Sequence, residues 1–155
     1  MAAKLSIIGV GNREMGDDGI GVILVERLRG QIERGEWAAG GIELVSAGTD
    51  PLLAGAVAAE SPRTLILDAA KMDAPAGEIR FFQADDAAIP SQAWTTHSLP
   101  LSGVLELLTD LGRAAGLRVA GIQPASMEPG QGISPQLESR VPEMLEKIKE
   151  EVLLP

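Results

Sequence analysis

Cysteine is absent from the 155 residues. That removes disulfides, thiolate nucleophiles and every sulfur-rich metal site. Histidine is nearly absent too: His97 stands alone, which excludes a zinc-protease helix carrying two histidines four residues apart. Any metal site must therefore be built from carboxylates and one imidazole. No uninterrupted apolar run reaches the ~18 residues that a membrane span needs. The stretch Met1–Gly11 runs into glycines and Asp17-Asp18 instead of a small-residue cleavage site, so it does not read as a signal peptide. A cytoplasmic location is expected, with no membrane partner. Positive charge is also scarce: 13 Lys and Arg against 22 Asp and Glu leave a formal net charge of -9. Such a surface repels phosphate backbones and argues against nucleic acid. Repeats, low-complexity tracts and coiled-coil seams are missing as well, so one domain over 1–155 is expected, as a monomer or weak dimer.

What is present is ordinary globular composition, 45% hydrophobic and 23% charged, on a chain long enough to bury one core. Leu5–Val10 is a short apolar run of the kind a buried parallel strand shows. After the loop Gly11–Gly16, apolar residues at Ile20, Val22, Ile23, Leu24 and Leu28 predict an amphipathic helix over Asp18–Arg29, with an Asp near its start. Ile42–Ser46 reads as a strand, Pro51–Glu60 as a helix, and Thr64–Asp68 as a third strand. Glu78–Gln83 follows a turn at Ala74–Gly77 and reads as a fourth strand. A helix is expected from Leu101 to Ala115 with Gly116 as its stop. Leu117–Ile122 is a fifth strand, and Pro135–Leu153 contains a final helix. Alternating strands and helices predict a three-layer α/β/α sandwich around a mostly parallel, about five-stranded twisted sheet. Ligand sites in such folds gather beyond the carboxyl ends of the strands. That rule brings the loop Gly9–Asp18, the strand-end Asp68 and His97 into one region.

The loop Gly9-Val10-Gly11-Asn12-Arg13-Glu14-Met15-Gly16-Asp17-Asp18-Gly19-Ile20-Gly21 invites a nucleotide reading and then rejects it. A phosphate-binding loop needs Lys and Ser/Thr directly after its last glycine; here those positions hold Asp17 and Asp18. Two carboxylates would repel a triphosphate by roughly 4 kcal/mol per close pair at an effective dielectric near 20. The dinucleotide fingerprint fails on spacing. One of the two acids can cap the helix, and both are favoured by its dipole. Asp18 is the better candidate ligand, as a hard oxygen donor among glycines that admit another chain.

Asp68 closes the apolar run Leu65-Ile66-Leu67, where an unpaired carboxylate is costly to bury. A turn role at the surface competes with a functional one, and the end of a central strand favours function. His97 lies in Thr95-Thr96-His97-Ser98-Leu99-Pro100, at a loop-to-helix entry. Ser-His-Asp catalysis would have to use it, yet no Gly-x-Ser-x-Gly elbow exists.

In combination these segments resemble the hydrogenase maturation protease family. Gly-Val-Gly-Asn followed by Gly-Asp-Asp-Gly-Ile-Gly, within Gly9–Gly21, is similar to its N-terminal signature. Leu65-Ile66-Leu67-Asp68-Ala69 looks like its second motif and Thr96-His97-Ser98-Leu99 like its third. Gly121-Ile122-Gln123-Pro124 and Gly132-Ile133-Ser134-Pro135 also look like family segments, so the resemblance runs from about Leu5 to Val152. Pro75-Ala76-Gly77-Glu78-Ile79-Arg80 and Thr95-Thr96-His97 are similar to the branch serving hydrogenase 3 of formate hydrogenlyase. The resemblance implies a peptidase that removes a short C-terminal extension from the large-subunit precursor of a nickel–iron hydrogenase. It further implies that Asp18, Asp68 and His97 bind nickel. One departure stands out: many members carry an acid at the end of strand two, in an Asp-Gly-Gly-Thr-like segment. This chain has Ser46-Ala47-Gly48-Thr49 with Asp50 following, so that role is either taken by Asp50 or dispensable.

Two oxygens and one nitrogen would leave a metal coordinatively open, and thiolates in the precursor compete well for nickel. The expected cofactor is therefore nickel brought by the substrate, which another divalent metal could replace in crystals. Asp17, Asp18, Asp68 and His97 are the expected catalytic set, with Asp17 or Asp18 as general base. A nickel-dependent assembly chaperone that never cuts, and a metal-independent acid protease using Asp17, Asp18 and Asp68, are the competing readings.

Overall fold

A computed structural model of the chain describes residues 5–84, 101–112 and 115–154. The chain runs β1 (Leu5–Val10), α1 (Ile20–Glu33), β2 (Ile42–Gly48), α2 (Pro51–Glu60), β3 (Thr64–Ala69), β4 (Ile79–Gln83), α3 (Leu101–Asp110), β5 (Leu117–Ile122), α4 (Pro135–Glu138) and α5 (Val141–Leu153). The five strands form one sheet in the order β2-β1-β3-β5-β4. β1 pairs parallel with β2 and β3, β3 pairs parallel with β5, and β4 alone runs antiparallel against β5.

The central strands are largely apolar because both of their faces are covered. Successive side chains alternate between the two layers. Ile7, Leu65, Leu67 and Ile122 pack with Ile20, Leu24 and Leu28 of α1 and with Met144 and Ile148 of α5. Ile8, Ile66 and Val119 pack with Ala54 and Ala58 of α2 and with Leu105 and Leu108 of α3. The expected three-layer α/β/α sandwich with a mostly parallel sheet is what the chain forms.

Some element ends differ from the sequence reading. Helix α1 starts at Ile20 and continues past Gly30 to Glu33. A single 3₁₀ turn, Gly16–Gly19, holds Asp17 and Asp18 just ahead of it, and no side chain caps either helix start. Helix α3 ends at Asp110, where Gly112 takes a positive φ of 69°. The C-terminal helix is divided in two, each part with a proline in its first turn and Ser134 capping α4. A proline ring is accepted at a helix start and not in its interior.

Two glycines bring α1 onto the sheet. A Cβ on Gly21 would lie 2.1 Å from the Leu67 carbonyl oxygen and 2.6 Å from that of Val10. At Gly11, with φ of 127°, a Cβ would lie 1.9 Å from the Asp18 carbonyl oxygen. Only glycine lets the backbone close up this far, and the closure sets Asp18 over the ends of β1 and β3.

Candidate functional site

The connection β1–α1–β2 places β2 on one side of β1 and β2–α2–β3 crosses back to place β3 on the other, so the strand order reverses between β1 and β3. In open α/β sheets the crevice beyond the carboxyl ends at such a reversal is where ligands bind. Here the 3₁₀ turn follows β1 and Asp68 lies near the end of β3. Asp17, Asp18 and Asp68 are all brought together there, at 0%, 1% and 0% exposure.

The three buried acids live in different surroundings. Asp18 accepts a hydrogen bond from the Asn12 backbone N–H at 2.9 Å. Asp68 accepts one from the Ala69 N–H at 2.8 Å through Oδ1, while its Oδ2 is buried with no hydrogen-bond partner among the described residues. Burial pushes the Asp68 carboxyl well above the usual carboxylate range. The Asp18 charge adds to that rise, and the Ala69 hydrogen bond opposes it. An orphaned oxygen on a buried acid beside a second acid is an arrangement a cation would relieve. Asp68 shares its face of β3 with Ile66, toward α2 and α3.

Asp17 is held by four hydrogen bonds. Its carboxylate accepts from the backbone N–H of Ala125 (2.8 Å), Ser126 (3.1 Å) and Ser134 (2.6 Å) and from the Ser134 hydroxyl (2.8 Å). The helix-capping role open to it in the sequence is not the one it fills. Ser134, Ala125 and Ser126 are site residues the sequence reading did not single out, although Gly132-Ile133-Ser134-Pro135 stood out as a segment. Gln123 belongs with them: its side-chain oxygen accepts from the Met72 and Ala74 N–H groups and ties the end of β5 to the segment after Asp68. Asp50 caps α2 through the Leu53 N–H, and Ser46 is exposed on β2. His97 lies outside the described residues. Among the described residues no cluster of three His, Cys, Asp or Glu side chains could hold a metal. No helix among them is long and apolar enough to cross a membrane.

Comparison with known proteins supplies a family for this geometry. The sequence model of the family described as hydrogenase maturation protease matches residues 22–151. The hydrogenase 3 maturation protease of Escherichia coli K12 is 37% identical over 120 residues, which cover 76% of this chain and 71% of that one. The hydrogenase 2 maturation protease of the same organism is 27% identical over 148 residues, 94% of this chain and 88% of that one. Among solved structures, the hydrogenase maturating endopeptidase HybD from E. coli superposes with a TM-score of 0.76 at 26% identity, covering 96% of this chain and 90% of the other.

Proposed function

The chain belongs to the hydrogenase maturation protease family, and from that premise we propose that it is an endopeptidase acting on the large-subunit precursor of a nickel–iron hydrogenase. It removes the C-terminal extension after nickel insertion and recognises the nickel that the precursor carries. The greater identity to the hydrogenase 3 protease than to the hydrogenase 2 protease favours a precursor of the hydrogenase 3 type. The work is that of a cytoplasmic enzyme, done before the precursor is assembled.

The observation that carries this reading is the Asp18–Asp68 pair. Asp68 is fully buried, keeps one oxygen without a hydrogen-bond partner among the described residues and feels the charge of Asp18. A structural ion pair or a cap would have satisfied that oxygen. A hard divalent ion is suited by carboxylate oxygen and borderline imidazole nitrogen together, with His97 as the nitrogen donor. Substrate-bound nickel supplies Lewis acidity next to the peptide to be cut. Asp18 and Asp68 orient the precursor by gripping its metal centre, and the scissile peptide is thereby held close to the acids. Nickel acts here as part of the substrate, and precursor without it lacks the handle.

Replacing Asp18 by Asn or His97 by Ala should leave the fold intact and abolish cleavage of nickel-loaded precursor, read as intact mass. Full processing by either variant would contradict the proposed ligand set. A second reading has one observation in its favour. Two adjacent buried acids, one with a raised pKa, are the arrangement acid proteases use to share a proton. A protease of that kind would cut nickel-free precursor equally well.

A further inference from the structure

Asp17 is the buried acid that the nickel-recognition scheme leaves without a task. Three donors converge on Asp17 Oδ2 and a fourth reaches its Oδ1. What the four bonds do is fasten two stretches of the segment 125–134 to the turn that carries Asp18. Main-chain bonds close the same seam: Asp17 N–H to the Ser126 carbonyl at 2.9 Å, Gly16 N–H to the Gly130 carbonyl at 2.9 Å, and Gly130 N–H to the Glu14 carbonyl at 2.8 Å. Ser134 extends the seam, because its hydroxyl also accepts from the Leu137 N–H and caps α4.

Along this seam lies a groove of about 470 Å³, lined by Arg13, Glu14, Gly16 and Gly19 on one side and Gln131 and Gly132 on the other. Gly16 and Gly19, which line it, bracket Asp17 and Asp18 in the turn. Ile23 and Ile133 complete its lining, and from Gln131 to Ile133 no main-chain hydrogen bond is made within the described residues. Nothing stands within 4 Å of where a Cβ on Gly132 would be. Backbone left without main-chain partners beside open space, with Glu14 and the Glu26-paired Arg13 opposite, suits an extended peptide, whose own N–H and C=O groups alternate. We propose that Asp17 is a positioning residue that latches 125–134 onto the glycine loop, so that the groove between them seats an extended stretch of the substrate polypeptide beside Asp18. The inference rests on the peptidase reading above and adds to it where the polypeptide lies.

Asp17→Asn is the sharpest variant. Whichever way the carboxamide turns, its NH₂ meets backbone N–H donors of Ala125 and Ser126 or of Ser134, and the latch opens. With nickel-loaded precursor, the KM of Asp17→Asn should rise at least about tenfold while kcat stays within a few-fold. Ser134→Ala, which leaves the carboxylate in place, should move KM the same way by less, and the double variant should be no worse than Asp17→Asn alone. A fall in kcat at unchanged KM, or wild-type kinetics in both variants, would overturn the positioning role. A second measurement needs neither variant nor turnover. Titrating the full wild-type chain with a synthetic peptide of the precursor's C-terminal extension, followed by ¹H–¹⁵N NMR, should shift the amides of Gly19 and of Gln131 to Ile133. Unmoved amides at saturating peptide would reject the groove. Groove shifts without any cleavage of precursor would instead count against the peptidase reading and leave the groove standing.

Discussion

Asp68 is buried without a counter-charge among the described residues, beside Asp18, and holds its proton to a higher pH than a free carboxylate. The sign of the consequence follows from proton counting. Between the ordinary carboxylate pKa and the raised native one, the folded chain binds more protons than the unfolded chain, so stability falls as pH rises. Below the ordinary carboxylate range both states are protonated and the penalty vanishes. Asp68→Asn removes it: the metal-free variant should match wild type near pH 3 and exceed it at pH 7, by on the order of 1–3 kcal/mol. Urea unfolding across that pH range reads the difference, and equal midpoints at pH 7 would show that Asp68 is not strained. The same variant should lose processing, the trade expected when an acid is kept for function at the expense of stability. Asp68 was legible in the sequence because an acid at the end of an apolar run has few structural reasons to be there. The latch of Asp17 was not legible. Its partners lie 108, 109 and 117 positions away, and two of the four donors are main-chain groups of Ala125 and Ser126, which carry no side-chain signature.

Among the elements, the contact of α1 with β1 and β3 decides whether Asp18 and Asp68 meet. Gly21→Ala would push its Cβ into the Leu67 and Val10 carbonyls, so the helix must lift off the sheet. We expect a loss of roughly 1–3 kcal/mol or more from overpacking, together with impaired processing; unchanged stability would mean the contact relaxes freely. Ser134→Ala removes the cap of α4 and one donor to Asp17 and should cost about 1–2 kcal/mol in thermal or urea unfolding. The strands were the most legible elements, since Leu5–Val10, Thr64–Asp68 and Leu117–Ile122 are apolar on both faces. The antiparallel run of β4 left no mark, because an edge strand shows the same alternation in either direction. The division of the C-terminal helix was written in Pro135 and Pro142, each within the first turn of its part, but hydrophobic periodicity runs across the break and hid it.

For the whole molecule, topology matters more than surface charge. The reversal of strand order at β1 and β3 gathers the acids at one end of the sheet, which the sequence could suggest only through the rule for strand ends. Surface ion pairs contribute little by comparison. Arg27 and Glu138 meet at 2.8 Å but are 45% and 50% exposed, so Arg27→Ala should change stability by no more than about 0.5 kcal/mol. The central claim, that a protease reads nickel already installed in its substrate, is tested most directly by weighing the precursor. The full chain is incubated with large-subunit precursor in nickel-loaded and nickel-free form, and both are measured by intact-mass spectrometry. Loss of a C-terminal peptide from the nickel-loaded form alone is the predicted result. Equal cleavage of the nickel-free form would contradict metal recognition and turn the Asp18–Asp68 pair into an acid-protease dyad.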